Sequence, residues 1–169
     1  MKRLTAPLLG AWLVLLLAGC GYHLLGHGGG RGALPADVTA VAISGNGDAE
    51  LLRGLRQRLA DDVAVVAAGD AVDPAHVATL FVQMAPVSFA PSAYSASGVA
   101  TQYRMTFAGQ MTLTRDGREL WQSGNIQRQG DVYVTTIDPT TIEASRTRLL
   151  RDLRKAWLDD AMARLRSGF

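Results

Sequence analysis

Residues 103–114 alternate cleanly between apolar and polar side chains, and this constrains the fold of the chain more than anything else in it. Tyr103, Met105, Phe107, Met111 and Leu113 fall on one face of an extended strand; Arg104, Thr106, Gln110, Thr112 and Thr114 fall on the other. Asp116-Gly117 follows as a two-residue hairpin turn, with a returning strand over roughly 119–129. A strand of this kind belongs to a sheet buried on one face only, so its apolar side needs a cover. Two helices supply it. The first is capped by Asp48 and places Leu51, Leu52, Leu55 and Leu59 on one face, with Arg53, Arg56 and Arg58 largely off it. Gly54 weakens that helix by about 1 kcal/mol relative to Ala. The second starts at Asp138-Pro139, has Glu143 in its opening turn and runs to about Arg166. Ile142, Leu149, Leu150, Leu153, Trp157, Ala161 and Leu165 form its apolar stripe, while Arg146, Arg148, Arg151 and Arg154 lie mostly outside it.

The remaining segments complete the layer. Leu34-Pro35 introduces a strand over 38–43, and Ser44-Gly45-Asn46-Gly47 turns it into the first helix. Residues 63–67 read as a short extended piece, and 77–87 as a strand whose end or edge position is marked by Pro86. Residues 88–100 carry no charge, are rich in Ser, Ala, Pro and Gly, and read as a mobile loop. The order is strand, helix, two or three antiparallel strands, long helix. It predicts an α+β fold: a two-layer sandwich with two helices packed on one face of a roughly four-stranded mixed or antiparallel sheet.

Ahead of this domain, Lys2 and Arg3 precede an apolar run over 8–17 and then Leu17-Ala18-Gly19-Cys20. The pattern reads as a secretory signal, 1–19, cleaved before a lipidated Cys20. The run is too short to span a bilayer, which takes about 20 apolar residues. Residues 20–33 form a lipidated N-terminus and flexible linker holding Gly26, Gly28, Gly29, Gly30 and Gly32, and 34–169 form a single domain. Lys2 and Arg3 carry the whole formal net charge of +2, so the mature chain is neutral and gives no support for a nucleic-acid partner. Cys20 is the only cysteine, which leaves nothing for a disulfide. Beyond Lys2 the only lysine is Lys155; every other basic residue of the mature chain is arginine.

Catalytic and metal patterns fall short. His27-Gly28-Gly29-Gly30 resembles an esterase oxyanion loop, yet no Gly-x-Ser-x-Gly elbow accompanies it. Gly45-Asn46-Gly47 lies between strand and helix like a dinucleotide loop, but Glu50 stands at the third glycine position. His23, His27 and His76 lack a second cysteine, a paired histidine or a carboxylate cluster at ligand spacing. No enzyme, cofactor or metal is expected. Arg104, Arg115, Arg118 and Arg128 lie on or near the central hairpin and could hold phosphates or sugar acids. A solvated sheet face with a charged turn is the reading Asp116 and Glu119 favour, since they dilute that charge. The Thr, Gln and Arg face of 103–114 suits either solvent or another polar, hydrogen-bonding wall such as the lumen of an outer-membrane barrel.

Cys20-Gly21-Tyr22-His23-Leu24 resembles the mature start of the lipopolysaccharide-assembly lipoprotein family, LptE. Leu34-Pro35, the strand through Ile43, Asn46 in the turn, the leucine-striped helix, Tyr103-Arg104-Met105 leading to Asp116-Gly117 and the long terminal helix are similar to its later segments. The resemblance implies two helices on a sheet of about four strands. It implies a non-enzymatic outer-membrane lipoprotein, anchored on the periplasmic side, that seats in and plugs the LptD β-barrel and helps place lipopolysaccharide in the outer leaflet. Gly21, in place of the aspartate that retains lipoproteins at the inner membrane, agrees with that location. Family members can carry basic residues in the loop before the central strand. Residues 94–100 have none, so Arg104, Arg128 and Arg118 become the expected lipopolysaccharide contacts. The competing expectation is a periplasm-facing accessory lipoprotein of another envelope assembly, with no barrel partner.

Overall fold

The computed structural model describes residues 32–67, 70, 73–134 and 138–168. The signal segment, Cys20, most of the glycine-rich linker, His23 and His27 lie outside the described residues. Strand β1 (Ala40–Gly45) leads into helix α1 (Ala49–Leu59) and returns through the short β2 (Ala64–Val66). A 3-10 turn (Pro74–His76) opens β3 (Val77–Met84), followed by β4 (Ser88–Tyr94), β5 (Ala100–Arg115), β6 (Arg118–Gln122) and β7 (Ile126–Tyr133). Helix α2 (Pro139–Ser167) closes the domain. β1 is parallel to both β2 and β3, and β5 is antiparallel to β3, β4, β6 and β7. The sheet is therefore mixed, as expected, but among the described residues it has seven strands instead of about four.

β5 is the spine. Its 16 residues are long enough to pair with two strands in succession on each side. β3 meets its second half and β4 its first half along one edge; β6 and β7 divide the other edge in the same way. Two expectations are corrected here. The segment read as a mobile loop contains β4, which pairs with β5 from Ser88 opposite Thr106 to Tyr94 opposite Ala100. Pro91 is tolerated because β4 is an edge strand, where a missing N–H leaves no ladder bond unmade. Phe89 stacks on Tyr103 with ring centroids 5.1 Å apart, and the Arg146 guanidinium lies over the Phe89 ring. The single returning strand expected at 119–129 is two strands broken at Ser123. The Ser123 hydroxyl accepts from Met111 N–H (2.8 Å) and donates to the Gly124 carbonyl (2.7 Å), so the side chain at the break is itself satisfied.

The core lies on one face of the sheet. Val41, Leu80, Val82, Met105, Phe107, Met111, Leu113 and Ile126 meet Leu51, Leu55 and Leu59 of α1 and Leu153, Trp157, Ala161 and Leu165 of α2. Trp157 is fully buried, edge-on to Phe107, and donates its indole N–H to the Ile126 carbonyl at 3.0 Å. Arg164 of α2 donates to the Ser123 carbonyl (2.6 Å), fixing the β6–β7 break to the helix. Asp48 caps α1 by accepting from Leu51 N–H (2.8 Å), and Asp138 caps α2 by accepting from Thr140 N–H (3.1 Å), both at the expected residues. Arg154, expected off the apolar stripe, is instead buried between the helices, where Asp48 and Glu50 neutralise it.

Candidate functional site

The even-numbered positions of β5 point away from the helices, because the odd ones are buried under them. They carry Gln102, Arg104, Thr106, Gln110, Thr112 and Thr114. Register spreads the same chemistry sideways: Gln83 lies beside Gln110, Thr79 beside Thr114, and Gln129 beside Thr106. Gln110 Nε2 donates to Gln83 Oε1 (3.0 Å), Gln129 Nε2 to Thr106 Oγ1 (3.3 Å) and the Thr114 hydroxyl to the Thr79 carbonyl (3.4 Å). Amides and hydroxyls each offer donors and acceptors, so this face can pair with either kind of group. Phe81 sits among them, between Ser44 and Thr112, and is 45% exposed. An apolar ring in a hydrogen-bonding carpet is a natural anchor for a partner surface.

The structure separates the arginines expected to contact lipopolysaccharide. Arg104 lies on the open face and forms a bidentate pair with Asp131 opposite it on β7: Nε to Oδ1 at 2.9 Å and Nη2 to Oδ2 at 3.1 Å. That pair lowers the Asp131 pKa and raises that of Arg104, chiefly through the hydrogen bonds between them. Arg128 lies opposite Phe107, on the helix-covered side, and reaches Asp160 of α2. Arg115 Nη1 pairs with Asp37 (2.5 Å), which holds the Asp37 carboxyl below the usual carboxylate range. Arg118 is opposite Arg115 beside the hairpin turn, exposed and, among the described residues, without an ion-pair partner. Arg115 and Arg118 are brought together. Arg104 stands 11 residues along β5 from Arg115, about 37 Å at strand rise. Asp131 is among the residues sequence reading missed, because it lies beyond the returning strand expected over 119–129; its alternation with Gln129 is the signal that could have found it.

His76 donates from Nδ1 to the Asp37 carbonyl (2.9 Å), a structural contact at the start of β3. Among the described residues no three His, Cys, Asp or Glu side chains come together as a metal site. No helix among them is long and apolar enough to cross a membrane.

An open, polar, mixed sheet backed by two helices defines the class: a two-layer α+β domain with one uncovered sheet face. Solved lipoproteins share that architecture. The chain is similar to rare lipoprotein B from Shewanella oneidensis (TM-score 0.59, 17% identity, 73% of this chain and 91% of that one). It is similar to an uncharacterized lipoprotein B from Nitrosomonas europaea (TM-score 0.57, 14% identity, 79% and 84%). It is also similar to a minor lipoprotein from Acinetobacter baumannii (TM-score 0.56, 8% identity, 78% and 92%). At these identities the likeness speaks for the fold alone. No curated protein matches the sequence. Residues 37–165 match the LptE lipopolysaccharide-assembly family, and the chain belongs to that family. Its role is accordingly that of a lipoprotein of lipopolysaccharide assembly.

Proposed function

We propose that this protein is the non-catalytic, lipid-anchored partner of an LptD-like β-barrel, seated in the barrel as plug and assembly aid while lipopolysaccharide passes to the outer leaflet. Family membership over 37–165 carries the reading. The open face of β3, β5 and β7 supports it. Its Thr and Gln side chains suit the polar lumen of such a barrel, and the Arg104–Asp131 pair keeps its charge balanced. Acylation at Cys20 anchors the protein at the inner leaflet on the periplasmic side. Two or more acyl chains are needed for that anchor to hold stably, since one gives only marginal, reversible binding. Lipopolysaccharide contact falls to Arg118, which has no ion-pair partner among the described residues, and to Arg104 and Arg128, at which an incoming phosphate competes with Asp131 and Asp160.

The test is extraction of native outer membranes in mild detergent, capture on a C-terminal tag and identification of what is retained. A stoichiometric large β-barrel is the expected result. A folded, acylated protein recovered alone overturns the plug and selects the accessory-lipoprotein role.

A further inference from the structure

The helical layer carries a second feature that neither the sheet face nor the barrel reading uses. α1 and α2 run side by side, with Arg154 at Asp48 and Glu50, Gly54 at Leu158, and Arg166 at Asp62. Gly54 lies at the close approach, where a Cβ would stand 2.9 Å from Leu158 Cδ1. This brings the polar row of α1 against that of α2 and leaves a groove of about 360 Å³ between them. Arg53 and Arg58 line it from α1; Arg151, Arg154 and Lys155 line it from α2. Glu50 is the one carboxylate in the lining, and it is bound to Arg154. Arg58 pairs with Asp159 through Nη2, while its Nη1 is buried with no hydrogen-bond partner. Among the described residues Arg53, Arg151 and Lys155 have no ion-pair partner.

Elsewhere on this domain several cations are matched. Arg104, Arg115, Arg128 and Arg166 each meet a carboxylate across elements. Here these three unpaired cations from two helices converge instead, two of them (Arg151 and Lys155) four residues apart on one helix, where like charges destabilise. A cluster of this sign and spacing is stabilised by an anion. Three donors approaching from two sides suit a phosphate group, whose three free oxygens can each take one.

We infer that the groove between α1 and α2 is a binding site for a phosphate group, held by Arg53, Arg151 and Lys155. It stands on the opposite layer from the sheet face and does not depend on barrel docking. The phosphate can belong to a lipid headgroup or to a soluble phosphate, and one experiment separates the two. The full-length protein in nonionic detergent micelles is titrated with inorganic phosphate against chloride at matched ionic strength. In parallel, micelles doped with phosphatidic acid are compared with undoped ones. Binding is read by thermal shift and by amide chemical shifts of α1 and α2. The wild type is expected to saturate, and Arg53→Gln/Arg151→Gln to bind at least tenfold more weakly with an unchanged circular dichroism spectrum. Lys155→Gln alone gives a smaller loss and guards against misfolding of the double variant. Response to both probes, or to inorganic phosphate alone, supports a site for the phosphate group itself; response to phosphatidic acid alone supports a headgroup site. No saturable response to either probe overturns the inference. So does undiminished binding by the double variant, or loss of binding in Arg104→Gln in its place.

Discussion

Asp48 does two jobs from one side chain. One oxygen accepts the Leu51 amide that opens α1, and the other accepts from Arg154 at 2.8 Å, 106 residues away. The first job is legible in sequence, since capping is a local rule. The second is not, because nothing local encodes which distant cation will arrive. Burial pushes the Asp48 pKa up, but the Leu51 and Arg154 hydrogen bonds outweigh it and leave the group below its usual value. The sign of the pH effect follows. A depressed folded-state pKa contributes stability that is present above the unfolded carboxylate value, about 3.9, and lost as pH falls through the lower folded value. Asp48→Asn keeps a capping oxygen and removes the charge, so it isolates the ion pair. We expect Asp48→Asn to be less stable than wild type at pH 7 and to converge with it near pH 2. Asp48→Ala should lose a further 1 kcal/mol or so for the missing cap. Urea unfolding at both pH values measures this, and parallel pH profiles for wild type and the Asp48→Asn variant would refute the pair's contribution.

Both helices, β1, β3, β5 and the Asp116-Gly117 turn were legible because each has a local signature: a cap with a leucine stripe, an alternating run, or a turn dipeptide. β4 was not, because it has no such signature. Pro91 and a run of small residues deny it intrinsic strand character, and what makes it a strand is the unpaired first half of β5 and the Phe89–Tyr103 stack. The β6–β7 break was hidden for the same reason, since Arg164 and Trp157 of a remote helix fix it. Two turn glycines show how elements differ in what they tolerate. Gly117 has φ +76° in the hairpin turn with nothing within 4 Å of a built Cβ. Gly45 has φ +134° where β1 ends, and a Cβ there would lie 1.9 Å from the Val82 carbonyl oxygen. Beside it, Asn46 accepts from Met84 N–H (2.6 Å) and donates to the Met84 carbonyl (2.9 Å), so the crossing cannot open. Gly117→Ala should cost about 1–2 kcal/mol, the left-handed backbone penalty alone. Gly45→Ala should cost about 3 kcal/mol or more, because backbone must move as well. Thermal unfolding of the two variants decides it, and equal costs would mean that the β1–β3 crossing yields more readily than its contacts indicate.

At the scale of the whole molecule the domain has two unlike outer surfaces. The sheet face is neutral and hydrogen-bonding with one exposed ring; the helical layer is cationic. The alternation of β5 made the first surface legible, whereas the second exists only where α1 packs beside α2 and brings two separate arginine rows together. If the sheet face is the barrel-docking surface, charge placed there has to be desolvated against a polar wall, and charge removed from the helices does not. Thr106→Lys/Gln110→Lys alters two exposed-side positions of β5 without touching the core, so its thermal midpoint should stay within about 2 °C of wild type. The barrel recovered with it from native outer membranes should fall at least tenfold. Arg53→Gln/Arg151→Gln should recover the barrel at wild-type yield. The reverse pattern, barrel lost with the helical variant and kept with the sheet variant, would turn the domain around inside its partner, with the cationic layer against the barrel wall and the Thr and Gln face toward the passing lipid.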